Sequence, residues 1–186
     1  MAFVAKSTFL GEVDFSIVDV SAPGTIGGAD SFYNEILSAY DPVLGGAEFL
    51  FCKYAGTLTV GQVVEVTPSL SGGVLTFSAT PWTGTANSGK PLGVVYVGGT
   101  SANYGWVQVG GAAIASISGS PVAGNPVYWQ STGVVSPTPV ASKQMVNAVF
   151  ATAPSVTLGS GAAAVTLTAA QAVVNLQRPF AQGAIT

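Results

Sequence analysis

A chain of 186 residues is long enough for one well-buried domain, alone or with an arm, and too short for two large ones. Only 7% of its residues are charged and 48% are hydrophobic, against about 25% charged in an average soluble domain, so the surface calls for cover by neighbouring copies, a larger assembly or a membrane. Histidine is absent, which removes the commonest general base, the usual partner of serine and cysteine nucleophiles, and the commonest zinc ligand.

Residues 1–45 are the least regular part and read as an extended arm. The opening stretch to Ser16 has one lysine, no sustained apolar core and two acids by Asp14, so it does not read as a secretory signal. No stretch approaches the roughly 18 apolar residues of a membrane-spanning helix. Ala22 to Gly28 is a loop by composition. Asp30 or Ser31 is placed to cap a short helix in which Phe32, Ile36, Leu37 and Tyr40 share a face, with Pro42 just beyond its end.

From Ala47 the pattern changes to short apolar runs bounded by Gly, Ser, Thr and Pro, which predicts an all-β body over residues 46–186, as a single β-barrel or β-sandwich. Strands are expected at Glu48 to Tyr54, at Leu58 to Thr67 with a break at Gly61, and at Val74 to Ala79. A long loop through Trp82 leads to a hairpin over Pro91 to Ile117, where Gly110-Gly111 reads as a bulge or sharp bend that leaves room for another backbone. Further strands are expected at Val127 to Gln130, Gly133 to Val135, Met145 to Ala151 and Ala162 to Thr168. Ala172 to Gln177 suits a strand or a short helix that Pro179 would end; its likeness to Val146 to Phe150 favours strand. Cys52 sits in an apolar run and reads as a small buried hydrophobe.

The net charge of −3 is unevenly laid out. Every acid lies in the first 65 residues, which carry −6, and the remainder, with Lys90, Lys143 and Arg178, carries +3. An acidic front either meets a basic surface or serves as a solvated face that keeps the protein soluble. The chemistry that remains is thin. No phosphate-binding loop, nucleophile elbow or calcium loop is present, and Gly159-Ser160-Gly161 reads as a turn. A glycosidase needs two carboxylates, but no acid falls in the glycine-rich strand region where a cleft is expected. Trp82, Tyr96, Tyr104, Trp106, Tyr128 and Trp129 have the ring type that stacks on sugars, though such residues on strands serve more often in a core or subunit contact. Three basic residues after Glu65 are too few to track a nucleic-acid backbone.

Gly46 to Tyr54, Gly56 to Val64, Pro91 to Val95, Gly105 to Gly111 and Ala123 to Val127 together resemble the capsid cement, or head decoration, proteins of tailed bacteriophages, over roughly residues 46 to 153. The acidic front and the tail after Pro154 have no counterpart in that pattern. The resemblance implies a non-enzymatic β-barrel or β-sandwich that trimerises on the outer surface of a capsid and clamps major capsid subunits, with no cofactor, metal, membrane or nucleic-acid partner. In that setting Phe3, Phe9, Glu12, Asp14, Phe15 and Asp19 of the arm are the candidate capsid contacts. Tyr96, Trp106, Tyr128 and Trp129 are the candidate core or oligomer aromatics. The rival reading is a carbohydrate-binding or adhesive module whose platforms are exposed tryptophans such as Trp82 and Trp129.

Overall fold

The computed structural model describes residues 4–5, 36–71, 74–101 and 103–184, and these are all-β. The strands are β1 (Val4–Ala5), β2 (Ile36–Asp41), β3 (Gly45–Tyr54), β4 (Val63–Ser71), β5 (Val74–Pro81), β6 (Leu92–Val95), β7 (Tyr104–Ser116), β8 (Pro126–Ser131), β9 (Val134–Ser136), β10 (Gln144–Phe150), β11 (Thr157–Leu158), β12 (Val165–Thr166) and β13 (Gln171–Ala181). Apart from the small β11–β12 ladder they form one 11-stranded sheet in the order β1-β2-β3-β5-β4-β6-β7-β13-β10-β8-β9. An additional β3–β7 pairing brings the run from β3 through β5, β4, β6 and β7 back to its start, so these strands make a closed ring. All neighbours in the ring are antiparallel except β3 and β5, which pair in parallel at Lys53↔Ser78 and Tyr54↔Ala79.

Closure explains the unbroken apolar run in β3. Leu50, Cys52 and Tyr54 point into the ring with Val64, Val66, Val95, Val107 and Val109, while Phe49 and Phe51 point outward and pack with Leu37, Tyr104 and Trp106. A strand covered on both faces loses its apolar–polar alternation. Full burial of each such side chain contributes about 1.5–3 kcal/mol. Inside the ring the Tyr54 hydroxyl donates to the Val97 carbonyl at 2.5 Å, which gives its buried oxygen a partner.

β7 leaves the ring at the expected glycines. Glu48 faces Gly110 but Phe49 faces Gln108, so Val109 is an extra residue on β7, and Gly111 has φ +82. Beyond this bulge β13 takes the place of β6 along β7, from Gln177↔Gly110 to Gln171↔Ser116. β10, β8 and β9 then extend a second sheet, whose last strand meets the end of β7 again through an isolated Ile117↔Val135 bridge. A third apolar cluster fills the seam between the two parts: Trp82, Leu92 and Val94 from the ring side meet Ala113, Val127, Met145, Phe150 and Val174.

Four expectations change. Residues 36–41 form β2, not the end of a helix; Leu37, Ala39 and Asp41 are buried in alternation, and pairing with β3 from Ile36↔Leu50 to Asp41↔Gly45 overrides the helical spacing. The body therefore starts earlier than a boundary between residues 45 and 46, which cuts this hairpin. The strand expected from Leu58 begins at Val63, because Gly61 at φ +82 turns the chain after an isolated Leu58↔Gly99 bridge. Of Ala162 to Thr168 only Val165–Thr166 pairs, after a 3-10 turn at Gly161–Ala163. Ala172 to Gln177 is strand, the form its likeness to Val146 to Phe150 favours, and β13 runs through Pro179 to Ala181, helped by a shift in its pairing with β10.

Candidate interaction surface

Each charged side chain of the described residues is engaged by its own chain. Asp41, 2% exposed, accepts from the backbone N–H groups of Val43 and Leu44 at 2.8 and 2.9 Å and so closes the β2–β3 turn. Lys90 Nζ donates to Glu65 Oε2 at 2.6 Å. Arg178 meets Glu48 with two bonds, Nε to Oε2 at 3.0 Å and Nη2 to Oε1 at 3.1 Å, the forked geometry that guanidinium and carboxylate share. Lys143 Nζ lies 4.0 Å from the centre of the Trp129 ring, and Lys53 Nζ 5.9 Å from that of Tyr104. The acidic front and basic rear seen in the sequence are thus partly neutralised against each other, across 130 residues for Glu48 and Arg178.

The Glu48–Arg178 pair sits in a groove of about 610 Å³ whose walls include Ser38, Gly46, Gly110 and Gln177. Glu48 on β3 and Arg178 on β13 flank β7 from opposite edges, and they meet over Gly110 because it has no side chain. A Cβ on Gly110 would come 2.9 Å from Glu48 Oε2, and one on Gly111 would strike the Gly46 carbonyl. Although no acid falls in the glycine-rich strand region of the sequence, strand pairing brings Glu48 from β3 to a groove beside it. The hydrogen bond from Arg178 holds the Glu48 carboxyl below its ordinary value, against a smaller opposing effect of desolvation. A carboxylate held ionised in this way is a poor general acid, and no second carboxylate among the described residues lines the groove. No group of three or more His, Cys, Asp or Glu side chains suited to a metal occurs among the described residues.

Two further recesses lie on the body. An apolar pocket of about 180 Å³ is lined by Leu44, Val60, Val94, Tyr96, Ile114 and Leu167. At its edge Gln108, 3% exposed, donates from Nε2 to the Gly110 and Ala112 carbonyls at 3.1 and 3.0 Å and braces the bulge. A polar cleft of about 230 Å³ lies between β8, β10 and β13, with Gln144, Asn147, Asn175 and Gln177 around it. Apolar side chains also reach solvent: Leu70 is 74% exposed and faces Leu75 across the β4–β5 hairpin, and Ile36 and Tyr40 project from β2.

The predicted aromatics divide. Trp106 is buried against Phe51, with ring centres 4.9 Å apart, and Tyr96 meets Phe49 edge-on at 5.2 Å. Tyr128 and Trp129 are half-buried on β8. Trp129 donates from Nε1 to the Trp82 carbonyl at 3.3 Å, packs over Gly84, where a Cβ would strike its ring, and carries Lys143. Trp82, expected in an open loop, is fully buried, so the pair of tryptophans does not form an open stacking platform. Burial pushes the Cys52 thiol up, in keeping with an inert core residue. Phe3, Phe9, Glu12, Asp14, Phe15 and Asp19 lie outside the described residues. Sequence reading missed the carboxamide cleft and the Glu48–Arg178 groove; Gly110-Gly111 was the only signal pointing to the latter. No protein-family model matches the chain, and no curated protein matches it.

Proposed function

We propose that the chain is a non-enzymatic structural virion protein that decorates a phage capsid on its outer surface and stabilises it by bridging major capsid subunits as a homotrimer. The observation that supports this reading best is the internal use of charge. With Asp41, Glu48, Lys53, Glu65, Lys90, Lys143 and Arg178 all engaged within the chain, the described body offers a surface of low net charge with exposed Ile36, Tyr40, Leu70 and Leu75. Neutral, shape-matched area is what a bridging contact uses, since burial contributes about 25 cal/mol per Å² of apolar surface removed from water. The resemblance of residues 46 to 153 to cement proteins points the same way. The acids of the arm, Glu12, Asp14 and Asp19, suit a basic capsid surface.

Light scattering on the purified protein is expected to give a mass near three times 18.5 kDa. Cosedimentation with undecorated heads is expected to deplete the protein from the supernatant at a fixed ratio to the capsid subunit. A protein that stays monomeric and leaves the heads bare overturns the proposal.

A further inference from the structure

We propose that the cleft between β8, β10 and β13 is a binding site for an extended, uncharged polypeptide segment of another protein, recognised through its backbone. The inference does not depend on capsid decoration and holds for any partner that offers such a segment. Gln144, Asn147, Asn175 and Gln177 line the cleft, and none of these side chains hydrogen-bonds another described residue. Each carboxamide carries a donor and an acceptor on one edge, so it can pair through two parallel bonds with the N–H and C=O of a single residue of an extended chain, which point to the same side. Asn175 and Gln177 are exposed and stand on one face of β13, two residues apart. That spacing of about 6.6–6.8 Å is the repeat at which an extended chain presents successive peptide groups of one orientation.

The strands are opened where the cleft lies. Pairing of β10 with β8 breaks off at Met145↔Val127 and resumes at Val149↔Pro126, and its pairing with β13 shifts between Val146↔Phe180 and Ala148↔Leu176. At the shift two residues other than glycine adopt left-handed backbone, Asn147 at φ 60 and Arg178 at φ 48. Asparagine enters that region readily and arginine does not. Arg178 is held there with its guanidinium on Glu48, and Gln177 beside it borders both the cleft and the larger groove. The two recesses therefore meet at one residue and give a bound strand room to continue.

The lining selects the ligand class. No charged side chain and no aromatic ring among the described residues borders the cleft, so it offers neither ion pairing nor a stacking face for a sugar ring. Val149, 44% exposed, and Pro126 give an apolar patch for a small side chain of the guest.

The test uses the full chain labelled with ¹⁵N and a capped heptapeptide alternating serine and valine, with maltohexaose as the competing class. The side-chain amide signals of Asn175 and Gln177 are expected to shift with the peptide and saturate at millimolar concentration. The paired change Asn175→Ala with Gln177→Ala, at exposed positions, is expected to leave Tm unchanged and to weaken binding at least tenfold. Affinity is expected to be the same at low and high salt. Absence of shifts, retention of affinity in the double variant, or loss of affinity in salt overturns the proposal. Shifts produced by maltohexaose and not by the peptide overturn it too, and assign the cleft to a glycan.

Discussion

The closed ring and the second sheet are built from the same kind of sequence, yet they use it differently. In the ring every strand has two neighbours, both faces of β3 are covered, and the one register shift, at Glu48 and Phe49, is made by glycines on β7. In the second sheet the pairing of β10 breaks on both sides, and Asn147 and Arg178 accept backbone conformations that glycine usually takes. Regularity in the first directs side chains into packing. Irregularity in the second leaves four carboxamides beside a cleft with no partner among the described residues. A β-protein can thus keep regular packing on one sheet and leave polar side chains unpartnered on another, the two sharing strand β7.

The contrast breaks most sharply at the seam. Trp82 is fully buried there; its backbone N–H donates to the Val63 carbonyl, and its backbone carbonyl accepts from the Gly133 N–H. Trp82→Ala is expected to cost about 3–5 kcal/mol, read as a lowered denaturant midpoint, with near-UV signals of ring and sheet lost together. If the ring survives while the sheet melts, the two are independent units and the shared strand does not couple them.

A smaller effect separates two neighbouring glycines. Gly111→Ala must hold φ +82 and push against the Gly46 carbonyl, and is expected to cost about 1–3 kcal/mol. Gly46→Ala meets nothing within 4 Å and is expected to stay within about 0.5 kcal/mol of the parent. Equal melting temperatures for the two variants would remove the bulge as the hinge between sheets.

The smallest effect belongs to the ion pair. Glu48 has its folded pKa lowered, so its contribution is present above the unfolded carboxylate value near 4.5 and is lost as pH falls through the lower folded value. Glu48→Gln is expected to lower Tm slightly at pH 7 and low salt, because the pair is largely exposed, and to match the parent at pH 2. A difference that persists in acid would mean that Glu48 acts through packing and not through charge.

Much of this was legible in local pattern. β-branched and aromatic runs between glycines placed β3, β5, β7, β8, β10 and β13 within a few residues, and Gly110-Gly111 announced its own bulge, because glycine is the residue that reaches positive φ without strain. What could not be read was the pairing at a distance. Nothing near Ile36 says that β3 will recruit it into a strand, and the Pro-Trp-Thr-Gly loop gives no sign that Trp82 will plug a seam. Asn147 and Arg178 bend the second sheet with no glycine to mark the spot. The candidate site was hidden for the same reason: Gln144, Asn147, Asn175 and Gln177 look like ordinary solvent-facing residues until two bulges bring them around one cleft.

The order of the strands along the chain also sets an order in time. The ring is complete by Tyr104–Ser116, from a contiguous stretch that begins at Gly45, whereas β13 arrives more than fifty residues after the edge of β7 it must cover. During synthesis the ring can close while that edge, from Gly110 to Ser116, still waits with its hydrogen bonds open to water or to another chain. The last strand therefore acts as the latch of the fold: until Gln171–Ala181 docks, the molecule carries the sticky edge that its finished form has hidden.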